Sequence, residues 1–346
     1  QSAGKRGFLI SLISAVVVPM LGACNAASKL GSSSPTYYLD SVLNIIEFRA
    51  LHARQVDWKA VRAKCMQLAE HAKTTTDTYR AINYALSQLH DNHSFLEDAS
   101  GKRTLSSESS EPEPVRIKSS NLFEDEHGRI GLLLVGAFVG DCDSEQSQRY
   151  AGLIRNNISE ILKMNPSAWI VDLRGNTGGN MWPMLAGVGP IIGGGTIGYF
   201  QYPRSSVPWF YQQGESGIID SAEQKVVNFK LEKSIDDCEA VPVAVLIDDS
   251  TLSSGEAVAL SFKGRPRTRF FGQHTGGLTT ANETITLSDG AVLYLTTAEE
   301  ADRNRNVYPA GLAPDVAVKQ EGVPLGDKND PVIRAARRWL STVASD

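Results

Sequence analysis

The sequence predicts an α/β protein: a parallel sheet joined by helical crossovers, preceded by a small all-helical unit. Short apolar runs, Ile130–Val135, Ala168–Leu173 and Val243–Ile247, suit strands buried on both faces, and stretches of helical periodicity separate them. Strands alternating with helices of this length favour parallel pairing through right-handed crossovers. Upstream, three consecutive segments repeat apolar residues at spacings of three and four.

In chain order, Lys5 and Arg6 precede an uncharged run, Gly7 to Ala23, which reads as the signal peptide of an exported protein, residues 1–23. At 17 residues this run falls short of a comfortable bilayer span of about 20, although an uncleaved anchor is the other reading. Leu21-Gly22-Ala23-Cys24 resembles the bacterial lipobox, which implies cleavage before Cys24, a lipid on that cysteine and a place at the extracytoplasmic face of a bacterial membrane. Residues 24–36, small and Ser-rich, read as a tether.

The helical unit, 37–96, carries Tyr38, Val42, Ile45 and Ile46 on its first face. Asp57 is expected to cap a second helix over Val61, Cys65 and Leu68, and Asp77 a third over Tyr79, Ile82, Leu86 and Leu89. The polar cluster His90-Asp91-Asn92-His93-Ser94 ends the pattern. The core domain, 97–346, opens with a polar loop from Ala99 to Pro114. It continues as strand Ile130–Val135, helix Ser144–Met164 with Leu153, Ile154, Ile158, Ile161 and Leu162 inward, and strand Ala168–Leu173. Helix Met181–Ile191, strand Thr196–Phe200 and an insertion rich in Tyr, Trp and Gln follow, then strand Val243–Ile247, a helix through Ala257 and Phe262, and strand Arg267–Phe271. Asp289-Gly290 marks a hairpin between Thr284–Ser288 and Val292–Thr297, and Asp330-Pro331 starts the last helix.

At 42% hydrophobic and 21% charged residues, with a formal charge of -5, the composition is that of an ordinary globular protein without the basic footprint of a nucleic-acid binder. Besides Cys24 there are Cys65, Cys142 and Cys238, so at most one disulfide joins these three, and none lies at metal-ligand spacing. No metal or cofactor is expected.

Two strand ends carry chemistry. After Val243–Ile247 the chain turns through Thr251-Leu252-Ser253-Ser254-Gly255-Glu256 into a helix, so that Ser253 stands at a helix N-terminus, where free N–H groups favour developing negative charge. The same residues fit a capping box between Ser253 and Glu256. After Ala168–Leu173 comes Arg174-Gly175-Asn176-Thr177-Gly178-Gly179-Asn180, whose glycines let backbone approach a ligand, and which lacks the Lys and spacing of a phosphate loop.

Together, Asp172-Leu-Arg-Gly-Asn-Thr-Gly-Gly179, Thr251-Leu-Ser-Ser-Gly-Glu256, Leu89-His-Asp-Asn-His-Ser94 and Gly311-Leu-Ala-Pro-Asp315 resemble, in order, the motifs of the C-terminal-processing (tail-specific) serine peptidases. The resemblance implies a ClpP/crotonase-like ββα core. It implies Ser253 as nucleophile, with oxyanion-hole N–H groups from Ser254 and from Gly178 or Gly179. Relatives with a Ser-Lys dyad carry Lys about where Leu278 stands here, so the base comes from elsewhere: His93 matches the position used by His-dependent branches, with His274 as runner-up. Asn92 and Tyr308 occupy the places of the extra Ser and Glu of a catalytic tetrad. No segment between Ser94 and Ile130 is long enough for a PDZ domain. With Ser261-Phe-Lys-Gly264 and Thr275-Gly-Gly-Leu-Thr-Thr-Ala-Asn-Glu283, the chain is similar to the nisin-resistance-protein branch. The resemblance implies a serine peptidase acting outside the cytoplasm on peptides or C-terminal tails through an acyl-enzyme. Asn180, Met181 and Glu283 are then candidate substrate contacts, with Glu283 also able to orient the imidazole. A non-catalytic ligand carrier on the same fold is the alternative.

Overall fold

The computed structural model describes residues 34–104, 121–125, 128–235, 237–238, 240–320 and 322–343. Cys24, the expected signal peptide and most of the expected 99–114 loop lie outside the described residues. Among the described residues no helix is long and apolar enough to cross a membrane.

Three helices open the chain: α1 (Pro35–Arg49), α2 (Trp58–Leu68) and α3 (Tyr79–Ser87). Pro35 and Thr36, read from sequence as the end of the tether, form the first turn of α1, with the Ser34 hydroxyl accepting from the Tyr37 N–H at 3.2 Å. Asp57 caps α2 through the Ala60 N–H, at 3.1 Å. Asp77 does not cap α3: its carboxylate accepts instead from Lys73 and Thr74 N–H, each at 2.9 Å, because a 3-10 turn over Thr76–Thr78 runs straight into the helix. The short strand β1 (Phe95–Glu97) follows.

Next come β2 (Asn121–Asp125), β3 (Gly128–Leu134), α4 (Glu145–Leu162), β4 (Ala168–Asp172) and α5 (Met181–Ile192). On α4 the buried stripe is Tyr150, Ala151, Ile154, Ile158 and Ile161, and Leu153, expected inward, lies off it and is 50% exposed.

Strands β5 (Gly195–Gln201), β6 (Ser206–Gln212), β7 (Glu215–Ile219) and β8 (Lys225–Lys230) then form an antiparallel meander. This corrects two expectations. The strand at Thr196–Phe200 leaves the parallel series, and the Tyr- and Trp-rich insertion is three strands. The burial patterns reflect the difference: β5 is only half covered along its length, whereas β4, inside the parallel sheet, is buried at every residue.

The chain returns to the parallel sheet with β9 (Val243–Ile247), α6 (Ser254–Phe262) and β10 (Thr268–Gly272), and to the antiparallel sheet with the hairpin β11 (Thr280–Thr286) and β12 (Val292–Ala301). It ends with β13 (Val316–Ala317) and α7 (Pro331–Val343). The first sheet runs β13-β10-β9-β4-β3-β2, parallel except for β2. The second runs β1-β12-β5-β6-β7-β8, with β11 on the other side of β12.

Side-chain alternation sorts the layers. Trp169, Val171, Val243, Val245 and Ile247 face a core shared with α4, α5, α6 and the antiparallel sheet, while Ala168, Ile170, Ala244 and Leu246 face α7. A third core joins α1–α3 to Leu287, Ala291, Leu293 and Leu295 of the hairpin region. Asp289 ties this contact, accepting from the Tyr38 and Tyr79 hydroxyls at 2.9 Å each.

Candidate active site

The carboxyl ends of β4 and β9 lie side by side, and the loops that leave them are stitched together. Asn176 is fully buried: its amide donates to the Val135 carbonyl (3.0 Å), its side-chain oxygen accepts the Gly178 N–H (3.0 Å), and its carbonyl accepts the Leu252 N–H (2.9 Å). Arg174 pairs with Asp172 at 2.6 Å and with Asp330, which precedes α7, at 2.8 Å, and all three side chains are buried. Removing one partner from such a cluster leaves an uncompensated buried charge, so the loop base is rigid.

Ser253 begins α6 in a conformation rare for a side-chain-bearing residue, φ 50° and ψ -121°. Strain of this kind persists where the surroundings over-determine it. Here Glu256 does so. Its buried carboxylate accepts the Ser253 N–H (3.0 Å), the Thr275 hydroxyl (2.5 Å) and the N–H groups of Gly277 (3.0 Å) and Leu278 (2.7 Å). Burial pushes the Glu256 carboxyl above its usual range against the pull of these donors. Glu300, also buried, is pushed well above the carboxylate range by burial and then by the charge of Glu256. The capping reading of Glu256 is thus realised in the same geometry that holds Ser253 strained.

Gly178 (φ 97°) packs directly on Ser253: a Cβ there would stand 3.0 Å from the serine Cβ and 3.1 Å from the Ser254 nitrogen. Its N–H is engaged by Asn176. Gly179 (φ 113°) lies so close to Phe138 that a Cβ would sit 2.0 Å from its carbonyl oxygen. The Ser254 hydroxyl donates to the Gly179 carbonyl at 2.6 Å, and among the described residues neither the Gly179 N–H nor the Ser254 N–H has a hydrogen-bond partner.

Ser253, Ser254, Gly178, Gly179 and His93 line one cleft of about 4250 Å³, beyond the 300–1,000 Å³ usual for small-molecule pockets. His274 is exposed and outside the cleft lining, while Leu278 lines the cleft. The His93 backbone is held by Asp91, which accepts its N–H at 3.0 Å, and by Asn282, which donates to its carbonyl at 3.0 Å. The ring nitrogen Nδ1 meets the Thr280 hydroxyl at 2.7 Å. Burial drives the imidazole down to about 4, Asp91 opposing and Arg103 reinforcing the shift, so the ring is neutral from mildly acidic pH upward.

The proposed substrate contacts divide. Asn180 lines the cleft with both ends of its amide committed: the oxygen caps α5 through the Trp182 N–H (3.1 Å), and the nitrogen donates to the Gly140 carbonyl (2.8 Å). Met181 is a buried core residue with an edge on the cleft. Glu283 faces the cleft but pairs with Arg49 at 3.0 Å, and Thr280, not Glu283, meets the imidazole nitrogen. Sequence reasoning missed Thr280 and the knot made by Asn176, though both stood inside quoted motifs. Cys65, Cys142 and Cys238 are free thiols.

Comparison with known proteins gives the family and the fold. Residues 129–318 match Peptidase family S41. The chain is 32% identical, over 82% of its length and 83% of the other's, to the nisin-resistance protein of Lactococcus lactis subsp. lactis. It is 26% identical, over 49% of its length and 29% of the other's, to carboxyl-terminal-processing peptidase 2, chloroplastic, of Arabidopsis thaliana. Among solved structures, a lipoprotein from Streptococcus agalactiae superposes with a TM-score of 0.67 at 23% identity, covering 92% of this chain and 99% of that one. The photosystem II D1 C-terminal processing protease superposes at 0.58 and 15% identity, covering 88% and 97%.

Proposed function

The chain belongs to peptidase family S41, a family of serine peptidases, and from that premise we propose that it cleaves peptides or protein C-terminal tails outside the cytoplasm by a Ser-His mechanism. His93 takes the proton from the Ser253 hydroxyl as its oxygen attacks the scissile carbonyl. The N–H groups of Ser254 and Gly179 receive the oxyanion, with Gly178 packing the serine in place rather than donating. Collapse of the tetrahedral intermediate expels the amine, protonated by His93, and leaves an acyl-enzyme. Water, deprotonated by the same imidazole, then hydrolyses the ester.

The observation that carries this reading is the shared cleft. A strained serine at a helix N-terminus, two N–H groups beside it without a hydrogen-bond partner among the described residues, and a neutral histidine all line one cleft. One relative is named for nisin resistance and another for carboxyl-terminal processing, and both names fit a peptide or a protein tail as substrate. Attachment to a membrane through lipid on Cys24 fits the likeness to a streptococcal lipoprotein. A fluorophosphonate probe tests the chemistry without knowledge of the substrate: it should label the wild type and not Ser253→Ala. Absence of labelling under all conditions would instead support a ligand carrier. Peptides released from an envelope extract by wild type and not by Ser253→Ala would define the substrate.

A further inference from the structure

The structure assigns Thr280 as the positioning residue of His93: its hydroxyl oxygen accepts the Nδ1–H and fixes the tautomer whose Nε2 is free to take a proton. This rests on the reading of His93 as the base. Three elements converge on that histidine. Its own loop is fixed by Asp91, whose carboxylate accepts from His93 N–H, Ser94 N–H (2.9 Å) and the Ser94 hydroxyl (2.6 Å). The Ser94 hydroxyl in turn accepts the Thr296 N–H of β12 at 2.9 Å. Strand β11 supplies the rest. Asn282 holds the His93 carbonyl, its own amide oriented by the Thr296 hydroxyl at 2.9 Å, and a register shift between Ala281 and Asn282 separates it from Thr280, which reaches the ring.

With the backbone held on both sides, the ring's orientation remains to be set; the 2.7 Å contact to Thr280 sets it, and a ring that acts as base requires the tautomer in which Nδ1–H donates across that contact. The opposite arrangement, a Thr280 hydroxyl donating to Nδ1, would leave a proton on Nε2 and a ring unable to act as base. A neutral hydroxyl suits the site: the charges acting on the ring are Asp91 from its own loop and Arg103 from the segment after β1, of opposite effect, while Glu283 of β11 is committed to Arg49. A carboxylate at position 280 would instead favour the imidazolium.

The experiment follows the second-order rate of fluorophosphonate labelling of Ser253 against pH in the whole protein, with circular dichroism as the folding control. Thr280→Val should slow labelling about tenfold or more through loss of the acceptor, with an unchanged spectrum. Thr280→Ser should restore the wild-type rate. Thr280→Asp should move the acid limb of the profile upward by about one pH unit or more, because a carboxylate at Nδ1 favours the imidazolium; the rescue by Thr280→Ser is the readout that a purely structural role would not give. Wild-type labelling by Thr280→Val, or an unmoved acid limb in Thr280→Asp, overturns the inference. His93→Ala separates the two readings. If that variant labels at the wild-type rate, the base is wrongly identified and the inference falls with it. If it is silent while Thr280→Val is normal, only the role of Thr280 is wrong.

Discussion

Replacing Gly179 by alanine should disable the site while leaving most of the fold standing. The added Cβ would lie 2.0 Å from the Phe138 carbonyl oxygen and 2.6 Å from its carbon. Both are backbone atoms and no rotamer relieves the clash. Restoring an ordinary 3.4 Å contact needs a displacement of about 1.4 Å between the two strands of chain. The φ of 113° is also unfavourable for any residue with a side chain. The displaced peptide carries the N–H assigned to the oxyanion. Loss of one such donor costs about 2.7–4 kcal/mol of barrier, or roughly 10²–10³ in rate. The backbone bonds from Phe138 N–H to Gly178 (3.1 Å) and from Asn180 N–H to Phe138 (2.7 Å) are loosened as well, for about 1–3 kcal/mol of stability at the net worth of two hydrogen bonds. Labelling kinetics of Ser253 and urea unfolding measure the two effects separately. A Gly179→Ala protein that is fully folded and labels at the wild-type rate would show that this N–H takes no part in holding the oxyanion.

Four further outcomes are expected, three from the same geometry and one from the sequence. Only the neutral imidazole accepts a proton, so activity should fall through an acid limb near the His93 value of about 4 and not near the ~6.5 of a free imidazole; a limb at 6.5 in the pH–rate profile would mean that the ring is not desolvated. Because that folded value lies below the unfolded one, His93 costs no stability above pH ~6.5 and progressively more as pH falls towards 4, a slope that His93→Gln should flatten in acid-unfolding curves. Asp289→Ala strips the acceptor from the Tyr38 and Tyr79 hydroxyls and should lower stability by about 2 kcal/mol in urea unfolding, whereas an unchanged midpoint would make the tie between hairpin and helices dispensable. Cys24→Ser should move the protein from the membrane fraction to the soluble envelope fraction, and unchanged partition would point to the Gly7–Ala23 run as the anchor.

Much of this was legible in the sequence because local rules governed it. The fully buried strands read as unbroken apolar runs, Asp57 and Asp330 stood where caps stand, and Asp289-Gly290 announced its turn. The geometry around Ser253 was also legible, since Glu256 three residues on holds its N–H and the close approach of Gly178 and Gly179 needs glycine. What stayed hidden depends on contacts distant in sequence. Thr280 meets a histidine 187 positions away, and Arg174 and Asp330 find each other only after α7 docks beneath the sheet. The burial that lowers His93 cannot be read from its polar neighbours Asp91, Asn92 and Ser94. The antiparallel meander was missed because half-buried strands rich in Tyr and Gln carry weaker patterning than central ones.

The hydrophobic cores are divided in a way that bears on when the enzyme is active. Ser253 rides on a helix rooted in the large core between the sheets, whereas His93 hangs from the separate core of α1–α3 and the hairpin. The proposed nucleophile and base therefore belong to two packing units, and the proposed dyad would need both folded and docked. Sub-global opening of the smaller unit would switch the base off while the serine's own environment stayed native.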